Sequence, residues 1–311
     1  MSDVVPPAVA NTSPNSSPVK RRRKRRVRKD KDRSKSASSN ADDTAWSDGL
    51  TPEQLQQVNE LLQWMASATD AVPVRTCSQI SCDGSTAVMF LRGTKWRMAK
   101  AQTKLIKVAG LYEKLGDCSL ERVAPFIGWG AQILPMFKTD KSGRQLFYVV
   151  PEYINVAHDE QTCDRARAAM YMYLRILEER EFQEKGVSVV LDLKGASFSM
   201  NRRAQQQTDE VTMALPCRFG GAYILSPPWW FSALFKVIKA ISSSRLIERV
   251  QVLGDPALLQ TYVDKQNILK RLGGDVEFDV REWLKQEFVD QDLQMPQWLI
   301  DGTAPPVPPP E

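Results

Sequence analysis

Few residue types in this chain could carry covalent chemistry. His158 is the single histidine, so chemistry that needs a histidine cluster has almost nothing to draw on. The cysteines, Cys77, Cys82, Cys118, Cys163 and Cys217, are odd in number and widely spaced, with no pair at metal-ligand spacing. They fit a reducing compartment better than a disulfide framework. Cys217 and Arg218 are adjacent, whereas a phosphate-binding cysteine loop needs several residues between the two so that backbone N–H groups can wrap the anion. "IGWGAQ" (127–132) has two glycines, no third, and no strand leading into it, and there is no Walker lysine motif. Asp192 ends an apolar run, where catalytic carboxylates of α/β proteins often sit; a polar strand terminus is the favoured reading. No enzyme, no metal and no cofactor is expected.

The stretch that stands out is apolar rather than reactive. "GAYILSPPWWFSALFKVIKAI" occupies 221–241, and from Phe219 to Phe235 no residue is charged. A membrane span needs about 20 apolar residues, and Pro227-Pro228 interrupts this run where a helix would have to continue. The stretch therefore divides into a short buried strand, 221–226, and a helix from Trp229 onward. On a helical wheel Trp230, Phe231, Leu234, Phe235, Val237, Ile238 and Ile241 share one broad arc. Ser232, Lys236 and Lys239 lie opposite, with Ala233 and Ala240, and Trp229 falls off the apolar arc. Such a helix reads first as an ordinary core-packing helix, and the paired indoles at its entry raise the alternative of a membrane interface.

The net charge of +5 is unevenly distributed. Lys20 to Lys35, "KRRRKRRVRKDKDRSK", has twelve Lys/Arg against two Asp, a local +10, so the remainder is −5. Lys20, Arg21, Arg22, Arg23, Lys24, Arg25 and Arg26 begin this run. Such an arm is a solvated tail, a nuclear signal, a nucleic-acid arm or a tether to an anionic membrane. Serines at 34, 36, 38 and 39 are candidates for phosphorylation that would weaken a tether.

The elements that position these residues follow from pattern. Residues 1–48, rich in Ser, Pro and basic residues, read as a disordered arm. Thr51-Pro52-Glu53-Gln54 opens a helix through a capping box. Met98, Ala101, Leu105, Val108, Tyr112 and Leu115 mark a second, and "STAVMFLRG" (85–93) lies between them, giving a helical domain at 49–117. Beyond it "LFYVV" (146–150), "VSVVLDL" (187–193), "AYILS" (222–226) and "VQVL" (250–253) read as buried strands, with a helical pattern from Asp164 to Phe182 and a last helix at 279–289. Alternation of strand and helix predicts an α/β domain over 118–290. A Pro-rich tail, 291–311, follows; its "APPVPPPE" is extended and is a candidate ligand for a proline-recognition domain.

Taken in order, "FLRGTKWRMAKAQTKLIK" (90–107), "TDKSGRQLFYV" (139–149), "VVLDLKGASFS" (189–199), the long stretch 215–254 and "LGG" (272–274) resemble the CRAL-TRIO lipid-binding family. The resemblance implies a mixed β-sheet flooring an apolar lipid pocket, a gate helix at Trp230–Ile241 across its mouth, and a small helical domain before it. It implies that Phe147, Ser197, Ser199, Trp230, Phe231, Leu234, Phe235 and Ile238 meet the lipid, and that Lys95, Arg218 and Arg249 meet a head group or phosphate. Cys217, Thr94 and Leu246 depart from the family's inositol contact set. The expected function is binding and transfer of a phospholipid or similar ligand by a cytoplasmic, peripheral membrane protein. The alternative is an adaptor with a narrowed pocket, recruited to membrane or nucleus by its basic arm. Beside a lipid-carrier fold the arm reads as a membrane tether before a nucleic-acid arm.

Overall fold

The computed structural model describes residues 45–128, 133–150, 163–195, 202–241 and 244–306. The helical region contains α1 (Pro52–Ser67), α2 (Val72–Thr76), α3 (Gly84–Gly93), α4 (Met98–Leu115) and α5 (Leu120–Gly128). The expected capping box forms: the Thr51 hydroxyl accepts from the Gln54 N–H, and the Gln54 side chain accepts from the Thr51 N–H. Then come β1 (Ile133–Thr139), β2 (Gln145–Val149), α6 (Asp164–Leu177), α7 (Arg180–Lys185), β3 (Val187–Asp192) and α8 (Arg202–Ala214). The chain continues through β4 (Phe219–Leu225), α9 (Phe231–Ile241), α10 (Ser244–Ile247), β5 (Val250–Leu253), three 3-10 turns between Pro256 and Leu272, α11 (Val280–Asp290) and α12 (Gln297–Ile300). Among the described residues, no helix is long and apolar enough to cross a membrane.

The sheet is mixed and five-stranded, in the order β1-β2-β3-β4-β5. β1 runs antiparallel to β2, and the other pairings are parallel. Register sorts the side chains by face, because successive residues of a strand point to opposite sides. Leu146, Tyr148, Val190, Tyr223, Leu225 and Leu253 share one face and pack in a core with α5, α11 and the 3-10 turns. Phe147, Val187 and Val189 share the other and enter a second core with α1, α3, α4, α6 and α8. The helical region therefore has no core of its own apart from the sheet. Arg167 of α6 ties the two regions further, donating to the Leu115 carbonyl at 2.6 Å and to Asp164 at 3.0 Å, while Asp164 also pairs with Arg122 at 2.8 Å.

Both ends of the folded region extend past their expected limits. Ala45–Ser47 form a 3-10 turn, and Trp46 packs on the helical core against Gly84, where a Cβ would stand 2.1 Å from the indole. The arm expected to reach residue 48 thus gives way to packed chain earlier. The expected tail from 291 is also packed in its first part. Leu293, Met295 and Trp298 lie on the core that contains α5 and α11, Leu299 is fully buried, and Pro305 is buried too. Trp298 approaches Gly128 so closely that a Cβ there would meet the indole at 2.8 Å. The rest of the proline-rich segment, from Val307, lies outside the described residues.

Leu299→Ala should therefore lower unfolding free energy by about 2–5 kcal/mol, the range for a fully buried leucine. Equilibrium denaturation measures this; an unchanged midpoint would show that the C-terminal helix is not part of the core.

Candidate functional site

β4 delivers the chain to α9 through a fixed turn. Ser226 adopts a left-handed φ of +48°. Two prolines follow that cannot donate to the sheet ladder. The Pro228 carbonyl then accepts from the Phe231 N–H at 2.9 Å. The helix consequently starts at Phe231, and Trp229 and Trp230 belong to the turn before it.

α9 lies across the C-terminal ends of β3 and β4. Phe231, 6% exposed, forms an apolar cluster with Leu193 and Ile224, and Leu191, Trp230, Phe235 and Val250 pack against it. Leu191, Ile224 and Val250 stand on the same sheet face as Phe147. The Phe231 and Phe235 rings stack at 5.5 Å, and Trp230 meets Phe231 edge-on at 6.4 Å. Ser232, Ala233, Lys236 and Lys239 are exposed on the outer side, with the Lys239 ammonium 4.8 Å from the Phe235 ring centre. This third cluster is separate from the two large cores. Trp229, 91% exposed, projects beside it.

The remaining expected contacts divide. Leu234 and Ile238 lie on α9, but their side chains are outside the described residues, as are Ser197, Ser199 and the basic residues Lys20–Arg26. Phe147 does not join the α9 cluster: it is fully buried under Tyr173 of α6, ring centres 4.6 Å apart, within the helical core. Lys95 is exposed in a left-handed turn after α3. Arg218 donates to the Arg92, Gly93 and Glu184 carbonyls, so its guanidinium caps the ends of α3 and α7. Arg249 donates to the Phe219 carbonyl at 2.8 Å while remaining exposed. The partners of Arg218 come from residues far away in sequence, which no local pattern signals. The strand residues beneath α9 (Leu191, Ile224, Val250) were legible as apolar but not as site residues.

Of the groups whose types could carry chemistry, His158 lies outside the described residues, whereas Asp192, Cys217 and Cys118 lie within them. Asp192, 2% exposed, pairs with Arg271 and accepts from the Lys194 N–H at 3.1 Å, which ties the end of β3 to the last 3-10 turn. Burial pushes the Cys217 thiol up to about 12, which favours the protonated thiol at neutral pH. Burial likewise raises Cys118 to about 12. No group of metal-ligating side chains lies together among the described residues.

Residues 131–274 match the family model of the CRAL/TRIO domain. The SEC14 cytosolic factor of Candida glabrata is 23% identical over 222 residues, which are 63% of this chain and 72% of that protein. Tyrosine-protein phosphatase non-receptor type 9 of Homo sapiens is 24% identical over 120 residues, covering 38% of this chain. The match spans only 20% of that phosphatase. Clavesin-1 of Xenopus laevis is 25% identical over 100 residues, 30% of this chain and 29% of the relative. The crystal structure of Sfh5 aligns with a TM-score of 0.47 and 13% identity, over 76% of this chain and 97% of that one.

Arg218→Met should leave three backbone carbonyls without their donor and lower stability by about 1–3 kcal/mol. Its binding to phosphoinositide vesicles should match wild type. Unchanged melting with lost vesicle binding would return Arg218 to a head-group role.

Proposed function

We propose that residues 131–274, which match the family model of the CRAL/TRIO domain, hold a hydrophobic lipid between α9 and the sheet face beneath it, and that the protein passes that lipid between membranes. The observation that carries the reading is the separate apolar cluster of α9. One helix, anchored on the sheet chiefly through Phe231, covers strand residues that neither large core reaches.

The energetics favour a cover of this kind. Exposing lipid chains to water costs about 0.8 kcal/mol per CH₂, so two sixteen-carbon chains cost on the order of 25 kcal/mol. A carrier must therefore enclose the chains in transit and open only against a bilayer. An amphipathic helix with exposed Lys236 and Lys239 outside and Phe231 and Phe235 inside suits that exchange. Trp229, almost wholly exposed beside the helix start, is a fitting interfacial anchor. In this reading the protein works in the cytoplasm as a peripheral membrane protein. Its arm at 20–35 adds electrostatic attraction to anionic lipid of roughly 1 kcal/mol per basic residue near the surface.

Transfer of a fluorescent phospholipid between vesicles, measured with melting temperature, tests the reading. Trp230→Ala and Phe231→Ala should slow transfer with only a modest thermal shift. Outright unfolding of both, or unchanged transfer with lost stability, would make α9 an ordinary core helix. Trp229→Ala should weaken vesicle binding and leave melting unchanged, since the side chain has almost no contact to lose.

Removing residues 20–35 should reduce sedimentation with phosphatidylserine vesicles at low salt, and the difference should vanish at high salt. Equal binding with and without the arm at low salt would reject the tether.

A further inference from the structure

On α4, Lys100, Lys104, Lys107 and Lys114 recur at intervals of four, three and seven, which places them on one stripe of the helix with Leu111. From residue 49 onward the chain is close to neutral, with a net charge of −1, so this stripe is a local concentration of positive charge. Lys104 is engaged: its ammonium donates to the Met213 and Leu215 carbonyls at 2.8 and 2.7 Å and closes the C-terminus of α8. Lys100 and Lys107 are exposed and have no ion-pair partner among the described residues. Lys114 pairs with Glu210 of α8 at 2.6 Å, a half-exposed contact of small worth that another carboxylate can replace.

Between α4 and α8 lies an open groove of about 330 Å³, lined by Lys107, Gly110, Leu111, Lys114, Met213 and Ala214, together with Glu210, whose carboxylate is the one paired with Lys114. Leu111 and Ala214 are buried and form its floor, while Met213 stands 75% exposed at its rim. Gly110 keeps it open, since a Cβ there would meet nothing within 4 Å. An apolar recess with an exposed methionine and cations on its rim is unlike the surrounding surface.

We propose that the α4–α8 groove docks a short acidic segment of a partner protein, with an apolar side chain entering over Gly110 and carboxylates meeting Lys107 and Lys100. Charge complementarity selects the acidic partner, and concavity selects a peptide over a bilayer. A bilayer is flat on this scale and leaves the floor of a recess unfilled, whereas a side chain reaches it. Lys107 and Lys114 stand two helical turns apart, about 10 Å, which suits carboxylates spaced along one face of a bound segment. This surface is distinct from the α9 cluster, so the proposal stands or falls independently of lipid transfer.

The test uses the full chain and a fluorescein-labelled amphipathic peptide of Glu and Leu, with its Lys/Leu counterpart and phosphatidylcholine/phosphatidylserine vesicles as comparison probes. Anisotropy should show saturable binding of the acidic peptide alone. Hydrogen exchange should gain protection at 104–115 and 206–215. Lys107→Glu should weaken binding about tenfold or more. Gly110→Leu should fill the recess and weaken it similarly, and its melting temperature should not fall, because the position is open and helical. Protection confined to residues 20–35, or unchanged affinity in both variants, would overturn the proposal. Vesicle binding that depends on Lys107 while peptide binding does not would reassign the groove to a membrane surface.

Discussion

The alternation of side chains across β3 and β4 is the constraint on which the rest depends. Every second residue from Val187 to Asp192 and from Ala222 to Leu225 faces the opposite side of the sheet, so both faces carry apolar surface that must be removed from water. One face is closed by α5, α11 and the C-terminal turns. The other is closed in two parts. Near Phe147 and Val187 the helical region covers it, and near Leu191, Ile224 and Val250 the cover is α9. A sheet that leaves part of a face to one helix has a place where an apolar ligand can substitute for protein.

The junction before α9 makes that cover a discrete element. A strand could pass directly into the next layer, but Ser226, Pro227 and Pro228 end the ladder and orient the helix start. Phe231 then inserts as the anchor. Charged side chains reinforce the frame around it rather than the cover itself: Asp192 pairs with Arg271 at the end of β3, and Arg218 hydrogen-bonds the carbonyls of α3 and α7. The cover rests on apolar contacts and aromatic stacking.

Much of this was legible in sequence. The apolar runs located β2, β3, β4 and β5, the last at its observed limits, and the apolar arc set Phe231 and Phe235 on the inner side of α9. β1 was not legible, because Pro135 interrupts its strand character and it pairs on one side only. α5 holds Pro125 in its interior, which reads as a break. The C-terminal prolines read as an extended tail, yet Trp298 and Pro305 close over Gly128, a fit that depends on three-dimensional shape. Arg218 matched a head-group position, but its carbonyl partners lie in segments distant along the chain. Spacing reveals which residues are apolar; which of two faces is left for a ligand emerges only once the helices are placed.

The central claim, that α9 and the sheet face beneath it enclose a lipid, is tested most directly by native mass spectrometry of the full-length protein purified from cells. The account predicts a co-purifying species of defined lipid mass, released on unfolding and diminished in Phe231→Ala. A chain that is folded, of the mass of its sequence alone, and unable to take up phospholipid from vesicles would contradict it.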